Sequence, residues 1–412
     1  MLPSTTYRAS AFIDAASALG VEVIVGSDAS FSPIGRGGPA GARDQPDPAT
    51  VALDLDDLDA AVAAAIACDA TRPIDAVVGV DDRSVMAAAS IAESLGIAHN
   101  PLSAVAATRD KLTMRRLLGA AEVLQPEFAP LERSGGPDAW RAAARAVGYP
   151  CVLKPRTLSA SQGVVRVDAE HELAPIADRV WRICDKAGET SGALVVERFV
   201  PGAEMVLEGM LTAGRLEVLA HLDKPDPMDG PYFPETIFVM PSRQPEEALA
   251  ASEAAVQKAC TALGLAEGPI HAEVRIDASR AWVVEIAART IGGLCGRTLA
   301  LATGATLEEV VLSHAAGLPP PRRHAAAAAG VAMLPVAHGG TFLGVSGREQ
   351  ALAMPGVVGL EITLPVGATV LPAPEGNRYL GFLFAKGLSP EHVERTLRAA
   401  HDCLEIHIAA ES

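Results

Sequence analysis

Short apolar runs at 21–25, 51–55 and 76–80 alternate with Ala-rich stretches at 57–67 and 84–95 that have helical length. Strands alternating with helices predict a parallel sheet, so the first ~107 residues read as an open α/β unit. The Gly, Pro, Asp and Arg-rich stretch 30–48 reads as a surface excursion. A long helix is expected over 103–121, a second over 138–147 ending at Gly148, and a strand over 149–154 stopped by Pro155. From there the period shortens. Runs at 164–167, 194–200, 205–211, 216–222, 270–276 and 281–288 read as strands and hairpins of antiparallel character, interrupted by a helix at 246–263. A Pro and Arg-rich connector at 319–323, followed by the Ala run 325–329, precedes a tail, 331–408, of alternating strands and one helix at 390–404. The predicted class is therefore α/β followed by α+β, in three parts: 1–107, 108–318 and 319–412.

Composition narrows the function. With 34 Lys plus Arg against 50 Asp plus Glu the formal charge is −16, which argues against a protein that wraps a polyanion such as nucleic acid. A small anionic ligand remains compatible, because it needs only a few cations focused in one cleft. The longest stretch without strongly polar residues, about 325–337, falls short of the ~20 residues that span a bilayer. No basic stretch leads into an apolar one at the N-terminus, so no membrane association and a cytoplasmic location are expected. Six scattered cysteines without a C-x-x-C pair read as free core thiols of a reducing compartment.

Three segments could carry chemistry. In the hairpin 270–288, alternation puts His271, Glu273 and Arg275 on one face and Ala272, Val274 and Ile276 on the other. In the partner strand Val283, Glu285, Ala287 and Arg289 are expected to share a face, so the hairpin brings Glu273 and Glu285 together. Two close carboxylates repel unless a cation sits between them, and Mg²⁺ binds one or two carboxylates plus substrate phosphates. A hydrated sheet face is the alternative. The loop 158–164 has small side chains whose absence of bulk lets backbone N–H groups approach phosphate oxygens, with Lys154 as a nearby point charge. It is no Walker loop, since no Gly-Lys-Ser/Thr follows and no helix begins there. Third, an apolar strand runs through Val195 to Val200 into Pro201-Gly202, with Glu204 just beyond. Such a strand end can read an adenine edge, and a carboxylate can accept ribose hydroxyls.

The order and spacing of these three segments resemble the ATP-grasp carboxylate–amine ligase superfamily. The resemblance implies an ATP-grasp fold with a preceding α/β domain and a C-terminal α+β lid. It implies that Lys111 and Lys154 contact ATP phosphates and that Ser159, Ser161, Gln162 and Gly163 belong to the flexible phosphate loop. Glu197, Arg198, Phe199 and Val200 would form the hinge that holds adenine, and Glu204 would hold the ribose. Glu273 and Glu285 would hold Mg²⁺, with Mn²⁺ as a substitute, and Arg289 would stabilise the acyl phosphate and the tetrahedral intermediate. Most members carry Glu-x-Asn where this chain has Glu285-Ile286-Ala287, and Ala287 cannot ligate metal. The Glu-x-Ala-Ala-Arg variant is similar to the L-amino acid ligases of the dipeptide-forming type. In that likeness, 223–236 is the substrate-side segment, with Lys224 and His271 near the reacting carboxylate. Tyr232 and Arg297 would face substrate.

A carboxylate does not acylate an amine in water, because its leaving group would be oxide. The implied route is therefore attack of a carboxylate on ATP to give an acyl phosphate and ADP, then attack of an amine to give an amide and phosphate. The 159–163 loop and the C-terminal domain are expected lids over that intermediate. Rival readings are a bicarbonate-using carboxylase or carbamoyl-phosphate-type enzyme, and a non-catalytic ATP-binding regulatory module. Small-molecule acids and amines are the expected partners. Relatives are often dimers, which leaves a homodimer as an open expectation.

Overall fold

In the computed structural model residues 9–27, 49–278, 280–324 and 327–410 are described. The 30–48 excursion, Ser279 and the connector residues 325–326 lie outside them. Strands Ile24–Ser27 and Ala49–Ala52 pair in parallel, with helices Leu58–Asp69 and Val85–Leu95 following as expected. The run 76–80 is not in a ladder among the described residues. Its end is claimed instead by Ser84, whose Oγ accepts from Val80 N–H at 3.0 Å and Asp81 N–H at 3.2 Å. The expected helix over 103–121 is two helices, Leu102–Arg109 and Lys111–Ala120. Asp110 breaks it: its backbone is extended and its carboxylate caps the second helix, accepting from Leu112 and Thr113 N–H.

A four-stranded sheet follows, ordered Phe128–Glu132, Ala193–Arg198, Cys151–Pro155, Val165–Val167. Helices Gly136–Val147 and Glu170–Ala187 close its core through Trp140, Ala144, Leu173, Val180 and Trp181.

The larger sheet has eight strands, ordered Arg280–Ala287, Gly268–Asp277, Ala203–Thr212, Arg215–Asp223, Ile237–Met240, Ala328–Leu334, Gly381–Gly387, Val357–Ile362. Strands from both sides of residue 319 thus share one sheet. The tail also holds two helices where one was expected, Arg348–Leu352 and Pro390–His401, and a three-stranded sheet, Thr369–Val370, Gly340–Ser346, Glu405–Ala409.

Period-two patterning decides what this sheet can do. Met205, Leu207 and Leu211 on one strand and Ile270, Ala272, Val274 and Ile276 on the next share a core with Val256, Ala259, Cys260 and Leu263 of helix Glu246–Leu263. Gly264 ends that helix in the left-handed region at φ 78°. Burying a side chain such as Leu207 is worth about 2 kcal/mol. With one face committed to the helix, Glu204, Glu208, His271, Glu273 and Arg275 must all point to the other.

Candidate functional site

The hairpin meets the expectation where it matters most: Glu273 and Glu285 are directly opposed across it. One detail differs. The ladder pairs Glu273 with Glu285 and Val274 with Val283, so Val284 is an extra, bulged residue. Val283 therefore turns into the helix-covered core, where it is fully buried, instead of sharing a face with Glu285. The bulge's carbonyls are taken by Arg115, which donates to Val284 O at 2.5 Å and Val283 O at 3.5 Å.

Arg115 is also the partner of Glu197, at 2.8 and 3.2 Å. The Lys154 ammonium stands 2.7 Å from the same carboxylate. Burial alone would raise the Glu197 pKa; the Arg115 and Lys154 cations outweigh it and hold the group at about 2. The Glu197 side chain thus faces inward and fastens Lys154, so within the expected adenine hinge only its backbone is left to meet a base. Beyond it, Arg198 is exposed near Glu127, Phe199 lies between the Arg166 and Arg275 guanidiniums, and Val200 O accepts from Arg275 at 2.7 Å.

Lys111 donates to Leu158 O at 2.8 Å and lies 3.5 Å from Glu285. It connects the loop 158–163 to the carboxylate pair. In that loop Ala160, Ser161 and Gly163 have positive φ, and a Cβ on Gly163 would come within 2.6 Å of Pro155. Glycine is required there.

Glu204, Glu235 and Glu273 each offer an oxygen within 4.8 Å of the others, a grouping that could hold a cation. A cation is already there. Lys224 Nζ stands 2.6 Å from Glu204, 2.8 Å from Glu235 and 3.3 Å from Glu273. Burial would lower the Lys224 pKa, but the three carboxylates raise it well above its ordinary value. Glu235 moves the other way: burial raises it, Lys224 opposes, and it is pushed up to about 7. Lys224, expected at the reacting carboxylate, is instead bound up as the counter-ion of this trio, with its side chain only 3% exposed. Glu204, expected on a ribose, already accepts from Lys224 on one oxygen and from Arg275, at 2.9 Å, on the other.

His271 pairs across the strands with Glu208, Nδ1 to Oε1 at 2.5 Å, while its Nε2 faces Glu273 at 3.7 Å. Burial would lower the imidazole pKa, yet the Glu208 carboxylate lifts it to about 9, so the ring is a cation at neutral pH. Glu208 also accepts from Ile291 N–H at 3.0 Å. Glu273 is held ionised, because Lys224 and His271 overcome the burial that would raise its pKa.

Arg289 is half-buried against Asp82, which it grips with two bonds at 2.8 and 2.9 Å. Arg109 adds a third contact to Asp82 at 3.0 Å. The N-terminal unit thereby aims the guanidinium. Two substrate expectations shift. Arg297 is half-exposed and pairs with Glu361 instead of standing free for a carboxylate. Tyr232 bridges to strand residue Val165, and its hydroxyl accepts from Arg179 at 2.6 Å, which ties it to the smaller sheet.

Residue pattern alone missed Asp82, Arg109, Arg115, Glu208 and Glu235. Only Glu208 had a local signal: alternation along 203–212 puts it on the face of Glu204. The oxygen-rich pair Glu273 and Glu285, each partly open, fits a hard divalent cation, and Ala287 adds no donor. No helix among the described residues is long and apolar enough to cross a membrane.

Three family models match: an ATP-grasp N-terminal domain over 13–99, an ATP-grasp domain over 147–298, and an L-amino acid ligase C-terminal domain over 332–409. Alanine–anticapsin ligase of Bacillus subtilis is 28% identical over 236 residues, 53% of this chain and 49% of the relative. D-alanine–D-alanine ligase of Desulforudis audaxviator is 28% identical over 212 residues, 49% of this chain and 65% of the relative. The chain thus spans about half to two thirds of the curated relatives it matches. The crystal structure of L-amino acid ligase from Bacillus licheniformis superposes with a TM-score of 0.78 at 26% identity, covering 97% of this chain and 95% of that one. The chain therefore carries ATP-grasp domains and, over nearly its whole length, resembles the L-amino acid ligases.

Proposed function

We propose that this protein is an ATP-dependent carboxylate–amine ligase that joins an acid to an amine through an acyl phosphate, with an amino acid as at least one substrate, releasing ADP and phosphate. The observation that carries the reading is the opposed pair Glu273 and Glu285, with Lys111 at its edge and the cations Lys154 and Arg289 fixed by the carboxylates of Glu197 and Asp82. The likeness to L-amino acid ligases supports the choice of an amino acid.

Glu273 and Glu285 would hold Mg²⁺ (or Mn²⁺), which when bound supplies neutralising charge for a triphosphate. Lys111 and Lys154 would meet phosphate oxygens, and the 159–163 backbone would cradle them. The 197–200 backbone would hold adenine. Arg289, aimed by Asp82, would stabilise charge on the acyl phosphate and on the tetrahedral adduct formed by the amine. The His271 cation, seated by Glu208, would orient an acidic substrate group. Fixed positions and preorganised charge account for such an acceleration without any covalent enzyme intermediate.

A phosphate-release screen over pairs of L-amino acids and small carboxylates, with mass spectrometry of products, tests this. The expected result is amide formed with equal ADP and phosphate. ADP release that needs bicarbonate and no amino acid would favour a carboxylase, and ATP binding without phosphate release a regulatory module.

A further inference from the structure

The loop 159–163 is held on its far side by the tail of the chain. Gly163 N–H donates to Pro374 O at 2.8 Å, Gln162 Nε2 donates to Glu375 O at 2.8 Å, and Asn377 Nδ2 reaches Gln162 Oε1 at 3.4 Å. These contacts are main-chain or amide bonds, and a separate, charged tie holds the same 372–377 turn. Glu375 takes two bonds from Arg179 of helix Glu170–Ala187, at 2.6 and 2.9 Å, and the third nitrogen of Arg179 donates to Tyr232 at 2.6 Å. The guanidinium lies 5.3 Å from the Tyr232 ring, and Tyr232 bridges to the strand that leaves the loop. The turn itself is closed by Gly376 N–H on Pro372 O, and a Cβ at Gly376 would overlap Leu371 O. One charged pair therefore ties the smaller sheet, the substrate-side segment and the tail to the same loop.

We propose that Arg179 and Glu375 are positioning residues that latch the tail over the 159–163 loop and so keep water from the acyl phosphate. This rests on the ligase reading. Neither side chain need touch substrate. With the latch open, a water oxygen bonds the acyl carbon, the bond from that carbon to the phosphate oxygen breaks, and free carboxylate and inorganic phosphate result. ATP is then spent without an amide. The pair is partly exposed and bidentate, so its loss shifts the closed-to-open balance by about fivefold.

The experiment compares wild type, Glu375→Gln, Arg179→Gln and the swapped pair Arg179→Glu/Glu375→Arg in the full chain. Phosphate released per amide formed should be near one in wild type; its excess over one should rise by about fivefold in each single variant and fall back toward the wild-type value in the swap. A general packing defect would lower kcat without moving this ratio, and an unchanged ratio overturns the latch. A second readout needs no turnover: hydrogen exchange of 158–164 with ATP present should slow in wild type and less in the single variants. If wild type makes no amide with any amine tested, the ligase reading fails, while equal exchange protection in all variants refutes the latch separately.

Discussion

Replacing Arg115 with methionine should damage stability and the site together. Arg115 and Glu197 are each 2% exposed at the side chain, and Lys154 is the other cation on that carboxylate. Removing one partner of such a buried pair costs about 3–5 kcal/mol, because the remaining charge stays out of water with less compensation. The Val283 and Val284 carbonyls also lose their donor, which loosens the bulge that sets Glu285 opposite Glu273. A drop of about 5 °C in Tm follows. The pH dependence has a definite sign. Glu197 sits at about 2 in the fold against an ordinary 4.5, so its contribution is complete above pH 4.5 and is lost as pH falls from there toward 2. The gap between wild type and Arg115→Met should therefore narrow below pH 4.5. Urea unfolding of Arg115→Met, Glu197→Gln and the double variant between pH 3.5 and 7 measures both effects. A double-variant loss equal to the sum of the single losses, with no pH trend, would refute the coupling.

Other substitutions test separate parts. Arg289→Ala should lower amide formation by ~10²-fold or more while ATP still binds, measured by coupled phosphate release and calorimetry; unchanged turnover would take Arg289 out of the chemistry. Gly202→Ala should destabilise by about 2–4 kcal/mol, since φ is 109° and the new Cβ would lie 2.0 Å from Ile276 O. Gly96→Ala, at φ 69° with nothing within 4 Å, should cost only about 1 kcal/mol in the same melting assay.

What could be read in advance follows from the range of the forces involved. Alternation along a strand is local, so the shared face of Glu273 and Glu285 was legible, and helix Glu246–Leu263 has the ends that its pattern predicts. The bulge at Val284 was not legible, since it depends on Arg115, far away in the chain. The same holds for Asp82 and Arg289, which meet across a separation of 207 residues. Lys224 shows the complementary failure: its segment looked like substrate surface, but three carboxylates from two strands and a loop converge on it and bury its charge. The break in the helix at Asp110 had a local signal, an aspartate followed by helix-forming residues, and the continuous apolar pattern on both sides hid it.

The central claim is that Glu273 and Glu285 grip a divalent cation against ATP. Calorimetry of ATP binding with and without Mg²⁺, in wild type and in Glu273→Gln and Glu285→Gln, tests it without reference to turnover. The account predicts that Mg²⁺ tightens ATP binding in wild type and that each substitution removes most of that gain while leaving metal-free affinity nearly unchanged. Full Mg²⁺ enhancement in the doubly substituted protein would contradict it.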